Sequence, residues 1–163
     1  MNVLLSETFT LSTPLTPQEI LARLNHYVYK RDNFFTSSGT KTPYQTYEGW
    51  YDEEDFKIKR IINYRNSFLP VITGNIVQNG SRSTITVKMA PNLLTKIALP
   101  FILIILMMFF FTPNRPKDDL LLNIMPWIVS VIFIAVITIT TYYEIRKAKK
   151  DLIKYFDAEL VYS

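Results

Sequence analysis

The sequence predicts an α+β protein. It has a small antiparallel sheet, an N-terminal helix and a closing C-terminal helix, interrupted by a transmembrane helical hairpin. Three observations carry this reading. Two charge-free apolar runs, Ile97–Phe111 and Met125–Tyr143, stand late in a chain of 163 residues. A set of alternating segments ending at an Asn79-Gly80 turn signal precedes them. A stripe at helical spacing, Ile145, Ala148, Leu152, Phe156 and Leu160, follows them.

The second apolar run has bilayer-spanning length. The first reaches it if Leu93, Leu94 and Thr95 join and Lys96 snorkels its amine to the headgroups. The expected division is a cytoplasmic α+β domain over 1–92, spans at about 93–112 and 124–143, and a cytoplasmic amphipathic helix over 144–163 that packs back on the first domain. Charge sets the orientation. Arg82, Lys88 and Lys96 precede the pair, and Arg146, Lys147, Lys149, Lys150 and Lys154 follow it. The link between the runs holds only Arg115 and Lys117 as cations. Lys and Arg collect on the cytoplasmic side, which predicts two crossings with both termini inside. The start "MNVLLSETF" lacks the basic region and long apolar run of a signal peptide.

Within the first domain, Val3–Leu11 alternates as a strand. Thr16, Pro17 and Glu19 form an N-cap, a first-turn proline and a capping box, with Leu15 and Ile20 placed as a staple. Ile20, Leu21, Leu24, Tyr27 and Val28 line one face of the helix that follows. Asn33–Thr42 reads as a short strand entering a turn, and Tyr44–Tyr51 as a strand. Phe56–Tyr64 alternates, with Phe56, Ile58, Arg60, Ile62 and Tyr64 on its inward face. A type I′ turn at Asn79-Gly80 would pair Gln78 with Ser81 and set Ile72, Gly74 and Ile76 opposite Val87, Ile85 and Ser83. A sheet closing on a C-terminal helix has an element order similar to that of the START-like, or helix-grip, fold, with a small split-barrel or pleckstrin-like sheet as the alternative.

Few chemistries are open to this composition. With no cysteine and one histidine, His26, a zinc site and a Cys or Ser/His nucleophile have little to draw on. Asp52–Asp55 lacks the spacing of a calcium loop, and four glycines make no phosphate cradle. The expectation is therefore no catalytic residue, no metal and no cofactor. The tail 144–163 crowds its five cations next to the second apolar run against four anions, while residues 1–92 hold ten cations against eight anions and lack a basic nucleic-acid motif. Arg146, Lys147, Lys149 and Lys150 form a basic cluster suited to anionic headgroups at the cytoplasmic face. An inward Arg60 needs a partner, and Glu48 on the neighbouring strand is the expected one. Arg60, Tyr64, Arg65, Asn66 and Ser67 make the candidate binding residues, where the strand turns a corner before Pro70.

The string Tyr64-Arg65-Asn66-Ser67-Phe68-x-Pro70, with Trp50 before it and Gly74 after it, resembles a group of short bacterial two-helix membrane proteins. That resemblance implies a bacterial inner-membrane location and this architecture, with no biochemical function attached. Three functional readings stay open. The cytoplasmic domain binds a lipid, a small apolar ligand or a protein; the chain is a membrane-perturbing or sensing effector that oligomerises through its hairpin; or it is an accessory subunit of a membrane complex. A homo-oligomer or a membrane-protein partner fits each.

Overall fold

Local signals in the first thirty residues set the first turn of structure. In the computed structural model, which describes residues 6–31, 42–62, 69–92, 96–97, 100–101, 104, 108 and 120–161, strand β1 (Glu7–Thr13) leads into helix α1 (Pro17–Tyr27). The Thr16 side chain accepts from the Glu19 backbone N–H, and the Glu19 carboxylate accepts from the Thr16 N–H at 2.8 Å. These bonds to Thr16 hold the Glu19 carboxyl below its usual range. Leu15 packs against the core and Ile20 is fully buried, as a staple requires.

No loop follows α1. The chain turns extended at Val28, whose N–H bonds back to Leu24, and becomes strand β2 (Val28–Lys30). Val28 thus serves the sheet rather than the helix face expected of it. Strands β3 (Tyr47–Tyr51), β4 (Asp55–Arg60), β5 (Pro70–Asn79) and β6 (Arg82–Pro91) follow. Helix α2 (Leu120–Tyr155) and strand β7 (Glu159–Val161) complete the order. The seven strands form one open sheet, β2-β3-β4-β5-β6-β1-β7. Among the described residues, only the β2–β3 pair is parallel.

The long hairpin keeps its expected faces but not its expected register. Asn79 pairs with Arg82, so Gly80-Ser81 is the loop and Gln78 faces Ser83 rather than Ser81. Gly80 takes a φ of 64° while Ser81 has no positive φ, the pattern of a II′ turn with glycine first, not of an Asn-Gly I′ turn. Moving the loop by one residue moves each partner by two, and a shift of two preserves which side of the pleat a side chain takes. Ile72, Ile76, Ser83, Ile85, Val87 and Met89 therefore all face the core.

Gly74 is the one position in β5 that packing forbids to a side chain. It pairs with Phe56, whose ring lies over it, and an added Cβ would collide with that ring. The ring continues inward to Phe156 of the C-terminal segment at a centroid distance of 6.1 Å.

Helix α2 closes the core from one side of the sheet. Ile145, Ala148, Leu152 and Phe156 are buried with Leu11, Phe56, Ile58, Ile72 and Ile85, as their helical spacing predicts. The helix stops earlier than that spacing implies. Asp157 adopts a left-handed φ of 46°, and the Ala158 N–H bonds to the Ile153 carbonyl, a Schellman-type closure. The Thr13 hydroxyl satisfies the orphan Phe156 carbonyl from β1. Arg23 of α1 reaches Asp157 at 2.9 Å. Leu160 then enters the core region from β7, opposite Leu11, rather than from a helix.

The first half of α2 has a different surface. Trp127–Tyr155 meets the length and apolarity that a bilayer crossing needs. Trp127, Val129, Val131, Ile132, Ile139 and Tyr143 are all exposed, while Ser130, Ile137 and Thr141 form a buried line on the opposite side. Among the described residues of the first apolar run, Ile97, Phe101, Ile104 and Met108 are helical and exposed. The 113–119 link, the Asn33–Lys41 stretch and the Tyr64–Ser67 corner lie outside the described residues.

Gly74→Ala is predicted to destabilise the full chain in detergent by about 1–3 kcal/mol, the cost of overpacking a filled core. Denaturant unfolding checks it, with Gly80→Ala, whose Cβ meets open space and only a backbone penalty, as the milder control.

Candidate functional site

The polar groups that the fold gathers lie where the sheet meets α2. Arg60 ends β4 on the inward face, after Phe56 and Ile58, so the pleat aims a guanidinium at the helix. There it meets Glu144, with Nη1 to Oε2 at 2.7 Å. The Glu144 side chain is 3% exposed and that of Arg60 is 18% exposed. Burial disfavours the Arg60 cation, but the hydrogen bond and charge of Glu144 outweigh it and raise the Arg60 pKa.

Glu48 is not the partner of Arg60. The β3–β4 register sets Tyr47 opposite Arg60 and Lys59 opposite Glu48. Side chains alternate across the sheet, so Glu48 and Arg60 point to opposite faces. Glu48 pairs on the outer face with Lys59 at 3.0 Å and Arg31 at 3.3 Å. The sequence holds the cue for this, since an inward Tyr47 fixes an outward Glu48.

Tyr47 extends the junction. Its hydroxyl donates to Asp151, two turns beyond Glu144 on α2, at 2.9 Å. Burial first, then the Asp151 charge and hydrogen bond, push the Tyr47 hydroxyl far above the usual phenol range. Tyr155 lies one turn further. Its ring stacks on Tyr27 of α1 at 3.8 Å, nearly parallel, and its hydroxyl is 3.0 Å from that of Thr46. Burial also raises the Tyr155 hydroxyl. Asp151, Tyr47 and Tyr155 are not legible as a site in the sequence, because Tyr47 lies on β3 while Asp151 and Tyr155 lie on the distant α2.

The basic cluster divides. Arg146 and Lys150 are exposed, and Arg146 stacks over the exposed Tyr142 ring at 4.5 Å. Lys149 turns instead to the sheet, pairing with Glu7 of β1 and lying 4.6 Å from the Phe9 ring. Lys147 is half-buried. Of the expected binding residues, Arg60 is thus engaged by Glu144, and Tyr64, Arg65, Asn66 and Ser67 fall outside the described residues. One buried hydroxyl stands beside the ion pair: Thr141, one turn before Glu144, has no hydrogen-bond partner among the described residues.

No protein-family model, no curated protein and no solved structure matches the chain, so its function is argued from its own geometry.

Tyr47→Phe is predicted to cost about 1–2 kcal/mol at neutral pH, the worth of a hydrogen bond to a carboxylate. A phenol whose folded pKa is raised supports the fold fully below the unfolded value near 10, and that support is lost as pH rises through the folded value. Wild-type stability should therefore fall above about pH 10, and Tyr47→Phe should flatten much of that fall. Tyr51 and Tyr155, also raised by burial, supply the remainder. Chemical denaturation between neutral and alkaline pH reads this directly.

Proposed function

We propose that the chain is a two-span protein of the bacterial inner membrane with a cytoplasmic α+β domain that binds a macromolecular partner and carries out no catalysis. One observation carries the reading. Helix α2 is continuous over 36 residues, and its exposed apolar half runs without a break into the half that fills the sheet's core. A bilayer is the environment that would cover the first half. The second half makes the domain and its anchor a single unit.

Three further features support it. The chain leaves the sheet at Pro91, the end that also holds Arg60 and Pro70, and Glu144 joins α2 to the sheet at that same end. Both apolar runs thus begin or end at one edge of the domain, as an antiparallel hairpin needs. The exposed Tyr142, Tyr143, Arg146 and Lys150 stand where aromatic and basic interface residues are expected. The resemblance of the Tyr64–Pro70 string to short bacterial two-helix membrane proteins agrees.

The sheet order, in which β1 returns beside the strand that precedes the long helix, favours the helix-grip arrangement. In that arrangement a ligand chamber would lie between sheet and helix. Here Ile145, Ala148, Leu152 and Phe156 occupy those positions. That favours recognition by the domain's outer surface over enclosure of a small apolar ligand. An accessory subunit of a membrane complex is one form of the same reading. The effector reading has no observation of its own.

Two experiments test the proposal. The chain lacks cysteine, so single cysteines report topology cleanly. A cysteine at Asn114 should react with an impermeant maleimide from outside intact cells, and one at Ser163 only after lysis; the reverse pattern overturns the orientation. High expression should leave the membrane potential intact, whereas collapse of the potential would favour the effector.

A further inference from the structure

Helices α1 and α2 pack on one side of the sheet, and the other side carries an ordered row of side chains. Register places Trp50 opposite Lys57, Lys57 opposite Thr73, Thr73 opposite Lys88 and Lys88 opposite Thr8. The row therefore crosses β3, β4, β5, β6 and β1 on the outer face. Trp50 is 44% exposed, and Lys57, Lys88 and Thr8 are exposed beside it.

The charges on this face are unevenly matched. Glu48 is held by Arg31 and Lys59, Glu159 lies against Arg82, and Asp55 accepts from Asn75. Lys57 and Lys88 have no ion-pair partner among the described residues. They stand two strands apart, about 10 Å, with the half-buried Thr73 between them. The middle of the face is thus cationic, with an indole at one end.

The row's height above the bilayer gives it an occupant. Lys57 is three residues from Arg60 and Lys88 three residues from Pro91, so the row runs parallel to the membrane-proximal edge at about 10 Å from it. Each headgroup layer is about 5–8 Å thick, and a lysine amine on its flexible stem closes the remaining gap. Tryptophan and lysine together are the side chains that settle at such an interface. We propose that the outer sheet face lies against anionic lipid headgroups through Lys57 and Lys88, with Trp50 at the headgroup surface. This contact rests on the membrane reading above, and differs from the Arg146–Lys150 cluster on α2. It fixes the tilt of the domain on the membrane.

The chain has two tryptophans, and each reports one claim. The full chain is placed in phosphatidylcholine vesicles with and without phosphatidylglycerol. Trp127→Phe leaves Trp50 as the only indole emitter, and Trp50→Phe leaves Trp127. A headgroup spin label should quench Trp50 several-fold more in the anionic vesicles than in the neutral ones. The double change Lys57→Glu and Lys88→Glu should remove that difference, and rising salt should weaken it in the unchanged chain. If Trp50 quenching ignores lipid charge while an acyl-chain label still quenches Trp127, the sheet-face contact is overturned and the membrane reading stands. If Trp127 is not quenched, the membrane reading itself fails. Quenching of Trp50 by a single-stranded oligonucleotide, with no response to anionic lipid, would overturn the contact in favour of a nucleic acid.

Discussion

The position of α2 along the sheet turns on one ion pair, Arg60 with Glu144, which the other sheet–helix contacts extend. A guanidinium at the end of β4 and a carboxylate in α2 meet at 2.7 Å, with the carboxylate almost wholly out of water. Taking both charges out of water is costly, and their attraction roughly offsets that cost when the geometry is good. Removing Arg60 leaves the Glu144 carboxylate buried and alone, which costs about 3–5 kcal/mol; removing Glu144 leaves a half-buried guanidinium that reaches water, and costs less. The pair thus adds little net stability and much selectivity. It admits one position of α2 along the sheet, and the Tyr47–Asp151 and Thr46–Tyr155 contacts fall into place below it.

The apolar core alone would not set that position. Ile145, Ala148, Leu152 and Phe156 form a stripe that repeats, and a repeating stripe tolerates sliding by a turn. A slide of one turn, about 5.4 Å, would strand Arg60 and Glu144. Lys149 with Glu7 repeats the constraint on the β1 side, and Thr13 with the Phe156 carbonyl does so at the far end. On the proposed membrane reading, tilt or rotation of the first half of α2 would be felt in the sheet.

What was legible in the sequence was local. The Thr16–Glu19 capping box, the inward alternation of Phe56, Ile58 and Arg60, and the helical spacing of Ile145 to Phe156 each need only neighbours in the chain, and each is present. The sequence misleads where one partner is distant. Glu48 and Arg60 sit on adjacent strands, but the sequence does not show their register, and one residue of register reverses a face. Asn-Gly and Gly-Ser both suit tight turns, so the sequence alone does not separate an Asn79-Gly80 loop from the Gly80-Ser81 loop that forms. A helix and a capped strand can both aim every fourth residue at one core, so the spacing to Leu160 does not show where the helix ends. The short parallel strand β2 has no signal of its own, being three residues that pair only because β3 is there. The polar junction was half visible: an inward arginine announced that a partner was needed, but not that it lay 84 residues away.

A double-mutant cycle on Arg60→Ala and Glu144→Ala tests the central claim most directly, with unfolding of the full chain in detergent as the readout. If the pair is the joint that seats α2, Arg60→Ala costs about 3–5 kcal/mol, Glu144→Ala less, and the double change little more than Arg60→Ala alone, a coupling of about 2 kcal/mol or more. Additive losses, with coupling near zero, would mean that the two charges are held independently and that apolar packing alone seats α2 on the sheet.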